Sequence, residues 1–249
     1  MHWDYALILL FLATAVPLLG LRRVRRLIAM PETTKRDRLG LYASTIAFQW
    51  LATAIILWRV TAHGIGPSQL GFALPRPGLA ALITLLLAAV VLANQFASLR
   101  RITTHPETVR GSLPQIALKI FPQDSTERLA FFAVVVTVAI CEELIFRGFA
   151  QRVLEDWGGS AVAAGIAGSA ALFSLAHLYQ GRRGILTTFV VGLLFAAIRS
   201  WTGSLLAPFA AHFLADLTAG FLAPPRIRSA LTAGDLKAAH VASLLILQK

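Results

Sequence analysis

The sequence is short of acids, of cysteine and of polar linkers. Its 249 residues include only 12 Asp and Glu against 23 Lys and Arg, and 14% of the chain is charged where 57% is hydrophobic. So small a charged share excludes an ordinary soluble domain. The single cysteine, Cys141, excludes an intramolecular disulfide and a zinc site built from several thiolates. No His-Glu-x-x-His helix occurs, so the best-marked pattern of a zinc protease is missing. There is no Pro/Ser-rich linker and no internal repeat, so 1–249 reads as a single integral membrane domain.

What remains is apolar sequence in blocks, approximately 5–21, 41–60, 78–98, 129–150, 160–178, 185–200 and 202–222. A helix of ~20 residues spans ~30 Å, the thickness of a bilayer's hydrocarbon core. The expected fold is therefore all-α, a polytopic transmembrane bundle of about seven spans. A weaker block at 238–247 is too short to cross and suits an interfacial helix.

The net charge of +11 would suggest nucleic acid in a soluble protein. Here the basic residues lie mostly between the apolar blocks, where the lipid bilayer accounts for them, and no nucleic-acid partner is expected. Arg22, Arg23, Arg25 and Arg26 follow the first block rather than precede it, which argues against a signal peptide. The same asymmetry puts the N-terminus outside. Loop 99–128, with Arg100, Arg101, Arg110, Lys119 and Arg128, then lies inside, and so does the tail with Arg226, Arg228 and Lys237.

Against this greasy background three fragments stand out: Cys141-Glu142-Glu143-Leu144-Ile145-Phe146-Arg147, Phe173-Ser174-Leu175-Ala176-His177 and His212-Phe213-Leu214-Ala215-Asp216. Ionisable groups are costly at membrane depth and persist there for function or for a specific pairing. Glu143 and Arg147 share a helix face, as do Phe173 and His177, and His212 and Asp216. Glu142 points about 100° away from Glu143, and two carboxylates beside one guanidinium leave one acid free for general-base work. If the hairpin turns near Trp157-Gly158, Glu142 and His177 differ in depth by only ~6–8 Å. Small residues ahead of His177 (Gly165, Gly168, Ser169, Ala170, Ala171) would let neighbouring helices come close. Taken singly, Glu143–Arg147 could be a structural ion pair, Phe173 a packing residue and Cys141 an inert buried thiol. It is their convergence that points to a site.

At these residues the chain resembles the CAAX protease and bacteriocin-processing family, the type II CAAX prenyl endopeptidase-like intramembrane proteases. The shared pattern is Glu-Glu-x-x-x-Arg, Phe-x-x-x-His and His-x-x-x-Asn/Asp, met here at Glu142-Glu143…Arg147, Phe173…His177 and His212…Asp216 within roughly 125–222. The resemblance implies a glutamate-dependent endopeptidase without a cofactor, acting on a membrane-associated protein or peptide. Glu142 with His177 would activate water, His212 and residue 216 would stabilise the oxyanion, and Arg147 would hold Glu143. Position 216 departs from the usual Asn. An ionised Asp only accepts hydrogen bonds, so either Asp216 is protonated, or it accepts a proton from His212 and fixes its tautomer, and the second is the expectation. The Ala/Leu/Arg-heavy composition suggests a high-GC bacterial source, hence a bacterial cytoplasmic membrane. Substrate choice among prenylated proteins, bacteriocin or signalling peptides and C-terminal sorting signals is left open, as is oligomeric state.

Two other readings use the same residues. Glu142, His177 and His212 could make a three-ligand zinc site with an open position. Alternatively, membrane acids and histidines mark transporters and proton paths, or a partner-binding immunity protein could retain the motif without catalysis.

Overall fold

The computed structural model describes the backbone of residues 2–105 and 112–246, and throughout these it is helical with short turns. The first span is α1 (Trp3–Ala13) continued by α2 (Ala15–Ala29), the two broken at Thr14, whose hydroxyl turns back to the Leu10 carbonyl at 2.6 Å. Then come α3 (Lys35–Ala62), α4 (Pro77–Thr104), the short α5 (Ser112–Ile120) and α6 (Ser125–Glu142). A π-helical stretch, Glu143–Ala150, carries α6 without a break into α7 (Gln151–Trp157). The remaining elements are α8 (Val162–Ala176), a 3₁₀ turn at Leu178–Gln180, α9 (Gly181–Thr202) and α10 (Leu206–Ile246). Residues 238–246 prolong α10 past Pro224 and Pro225, and residue 247 lies outside the described residues.

Among the described residues, six helices are long and apolar enough to cross a membrane, from Trp3–Ala29 to Leu206–Ile227. This is a polytopic helical membrane protein. The block expected at 160–178 yields a shorter helix of 15 residues, ~22 Å long, because it stops at His177 rather than running on.

Close approach around α8 follows from its small residues. A Cβ at Gly165 would come within 2.7 Å of the Gln151 carbonyl and one at Gly168 within 2.6 Å of the Leu154 side chain, so α7 packs against bare backbone. Gly192 of α9 meets Ala170 as closely, at 3.1 Å. These contacts fix the depth of the site. Trp157 ends α7 and Val162 starts α8, so Glu142 and His177 each lie fifteen residues from the same hairpin (157 − 142 and 177 − 162). Turn 158–161 is not helical, and the ~6–8 Å offset expected from a tighter hairpin disappears.

At the far end of α6 a clasp joins it to α3. Arg38 grips the fully buried Glu127 carboxylate with contacts of 2.8, 3.0 and 3.1 Å, and also donates to the Thr33 carbonyl at 2.7 Å. Beside it Lys35 reaches Asp124, the N-cap of α6, at 2.8 Å, and that hydrogen bond holds the Asp124 carboxyl below its usual range. A desolvated, multiply hydrogen-bonded pair of this kind fixes register between two helices. Here it sets α3 against α6 and so decides which α3 residue reaches Glu142.

Candidate active site

The π-helical stretch is the most enclosed part of the chain: every residue from Glu143 to Ala150 is buried. Such stretches often mark functional positions in helices. Within it Arg147 Nη1 donates to Glu143 Oε1 at 3.1 Å, both side chains being fully buried. The guanidinium lies 4.1 Å from the Phe173 ring centroid and 5.4 Å from that of Phe195, within cation–π range of both. Its Nε and Nη2 have no hydrogen-bonding partner. Aromatic faces therefore replace acceptors around this cation.

Glu143 is also held from α10. His212 Nδ1 lies 2.9 Å from Glu143 Oε1, and the carboxylate accepts, so this nitrogen carries the proton. The tautomer is thus set by Glu143. Asp216, expected in that role, instead faces the other ring nitrogen: His212 Nε2 is 3.6 Å from Asp216 Oδ2 and 3.9 Å from Glu142 Oε2. His212 is the meeting point of three carboxylates from two helices.

His177 ends α8. Its Nδ1 lies 2.8 Å from the Phe173 carbonyl oxygen, which can only accept, so Nδ1 bears hydrogen and Nε2 has its lone pair available in the neutral ring. The ring tilts against Phe173 at 4.6 Å. Phe173 also meets Phe146 at 5.4 Å and His212 at 6.0 Å edge to face. Far from being a mere packing residue, Phe173 holds His177 with its carbonyl and covers Arg147 with its ring. The Phe-x-x-x-His spacing was the signal for it.

Gln49 was not among the residues expected at the site. From α3 its Nε2 donates to Glu142 Oε1 at 2.9 Å. That bond commits one carboxylate oxygen and leaves Glu142 Oε2, buried and without a hydrogen-bonding partner, on the side of His212 Nε2. A polar residue in the middle of an apolar span was the available clue. Replacing Gln49 by leucine should free the carboxylate to rotate and lower turnover about tenfold or more, as expected when a catalytic group is mispositioned. Turnover and KM measured together would check this, and a loss confined to KM would argue against it.

The donor set of the site can be compared with the rest of the chain. Among the described residues, the one group of three His, Cys, Asp or Glu side chains whose donor atoms lie within 4.8 Å of one another is His2, Asp4 and His63. There Asp4 is engaged by Arg59 at 2.7 Å and by His63 at 2.9 Å.

Residues 124–218 match the family model described as type II CAAX prenyl endopeptidase Rce1-like. Over this segment the chain is similar to the CAAX protease family. No curated protein and no solved structure matches it. The matched segment starts at the N-cap of α6 and ends two residues beyond Asp216, so it contains Glu142, Glu143, Arg147, Phe173, His177, His212 and Asp216. The matched family is one of intramembrane endopeptidases, and the six long apolar helices agree with an integral membrane protein. Gln49 lies outside the matched segment.

Proposed function

We propose that this CAAX protease-like protein hydrolyses a peptide bond of a membrane-associated protein or peptide, using Glu142 and His177 to activate water and His212 with Asp216 to stabilise the oxyanion. The observation that carries the reading is the division of labour between the two glutamates. Each carboxylate has one oxygen without a hydrogen-bonding partner, but Glu143 is fully buried, neutralised by Arg147 and bound to His212, whereas Glu142 is held by the neutral Gln49 amide and keeps 14% of its side chain exposed. The first glutamate is suited to take a proton and the second to organise the site.

In the proposed reaction Glu142 Oε2 removes a proton from water as its oxygen attacks the scissile carbonyl carbon, and His177 Nε2 accepts a hydrogen bond from the same water. His212, donating from Nδ1 to Glu143, presents Nε2 to the developing oxyanion when that nitrogen is also protonated. Preorganised donors of this kind supply the largest single share of many rate enhancements. Collapse of the tetrahedral intermediate breaks the C–N bond, and the proton held by Glu142 passes to the leaving amine. No metal is used. Arg147 acts through Glu143 and is a positioning residue.

Asp216 assists without donating. At 3.6 Å from Nε2 and with a side chain 40% exposed, it balances the imidazolium from the edge of the site. Asp216→Asn is therefore expected to retain substantial activity, since an amide can fill the same place and donate. His212→Ala should lose activity. Turnover of the two purified variants checks this, and an inactive, normally folded Asp216→Asn would overturn Asp216's assigned role.

The test of the function is a terminomic comparison of membranes from a deletion host complemented with wild type or Glu142→Ala at matched abundance, repeated on purified protein with a chelator. Termini that depend on Glu142 and persist under chelation are expected, and they name the substrate. Identical termini would favour the transporter or partner-binding alternatives. Cleavage lost with the chelator and restored by Zn²⁺ would favour the zinc reading. N-terminus outside and C-terminus inside is the orientation the loop charges support, and substrates would then enter laterally or from the cytoplasmic side.

A further inference from the structure

A groove of about 740 Å³ runs between α2 and α3. Leu19, Leu27, Leu41 and Phe48 give it apolar walls, and Arg22, Arg23 and Arg26 line it as well. Along α2 it extends from Val16 to Met30, ~21 Å at the helical rise. The arginines fall in its middle, which leaves ~9 Å of apolar groove along α2 from Arg22 back to Val16.

The charges at the arginine end have no anion of their own. Arg23 Nη2 donates to the Leu41 carbonyl at 3.0 Å and to the Ser44 hydroxyl, and Nη1 to Thr45 Oγ1 at 3.4 Å, all neutral acceptors. Arg22 and Arg26 are exposed. The one acid in the lining, Asp37, is already bound to Thr34 through its backbone N–H at 2.9 Å and its hydroxyl at 2.7 Å. Lys119 of α5 caps the carbonyls of Leu27 and Ile28 at 3.0 and 2.9 Å and that of Met30, which pins the end of α2 that carries the arginines. The result is a half-open apolar groove with three guanidinium groups midway along it and one committed carboxylate.

We propose that this groove binds an anionic phospholipid, its phosphate held by Arg22, Arg23 and Arg26 and the first part of one acyl chain lying along Leu19 toward Phe48. Guanidinium groups suit phosphate oxygens because their paired N–H groups can donate in parallel, and basic pockets between membrane helices select anionic headgroups by the same chemistry. The far end of the groove is lined by Phe48, next to Gln49, and Ala176, next to His177. The proposal rests on the groove itself and is independent of the peptidase reading.

Full-length protein in neutral detergent would be titrated with phosphatidylglycerol or phosphatidylcholine of matched acyl chains, and bound lipid counted by native mass spectrometry. Phosphatidylglycerol is expected to bind about thirty-fold more tightly, the effect of two arginines contributing about 1 kcal/mol each. The double variant Arg22→Gln/Arg26→Gln leaves Arg23 and its bonds to α3 intact and should abolish most of that preference. Gly40→Leu should weaken both lipids by filling the groove, since a side chain there meets nothing within 4 Å. Arg100→Gln/Arg101→Gln, which removes as much charge elsewhere, should change neither. Equal binding of the two lipids, an equal loss in the Arg100/Arg101 variant, or full binding by Gly40→Leu would each overturn the proposal. So would recovery of a peptide in place of phospholipid from the groove of the wild type.

Discussion

Replacing Glu142 by glutamine should lower turnover of a substrate identified by its new termini about 10²–10⁴-fold, the usual contribution of a positioned general base. The substitution preserves shape. A glutamine carbonyl at Oε1 can still accept from Gln49 at 2.9 Å, so the side chain stays oriented. What it loses is the second oxygen, the buried one without a hydrogen-bonding partner, where an amide nitrogen cannot take a proton from water. Because the change touches the base and leaves the walls of the site alone, the loss should fall on kcat with KM and melting temperature little changed. Residual activity reflects the oxyanion donors acting alone. Turnover close to wild type would sink the assignment of Glu142 as the base.

Replacing Arg147 by alanine should be the more damaging change to the protein itself, costing about 3–5 kcal/mol because it strands the buried Glu143 carboxylate. The guanidinium also fills the space between Phe173 and Phe195, so a void would add to the loss. Lysine is a poor replacement, being a compact point charge where a flat cation stacks between rings. The double variant Glu143→Gln/Arg147→Met tests the cause, since it leaves no lone charge and should recover much of the stability lost in Arg147→Ala. It should not recover activity, because His212 Nδ1 would lose its carboxylate partner. Unfolding followed in lipid bicelles would measure all three proteins. An Arg147→Ala protein as stable as wild type would show that the pair contributes nothing to the fold.

Features with a local cause were legible in the sequence. Apolar blocks separated by arginines marked the spans, and the four-residue spacings placed Glu143 with Arg147 and Phe173 with His177 on shared faces. What the spacings could not give was registry between helices. Glu142 faces His212, and His177 is tied to a carbonyl of its own helix, because α10 and α8 dock at heights set by side-chain packing. Gln49 escaped notice for the same reason, since its partner lies 93 residues away and is delivered by the Arg38–Glu127 clasp at the other end of the helix pair. The π-helical stretch left no signature in composition. Its widened turn is imposed where eight consecutive residues are buried on all sides.

The shortness of α8 has a consequence for how a hydrolase could work inside a bilayer. At ~22 Å it falls short of the ~30 Å hydrocarbon slab, so with its Val162 end at one face of the bilayer the turn from His177 to Gly181 would lie below the other. Non-helical backbone is tolerated there only when protein encloses it or water reaches it. On that placement, water approaching the His177 imidazole would have less than the full slab to cross. Lengthening α8 by one turn would do more than move His177; it would lengthen that crossing.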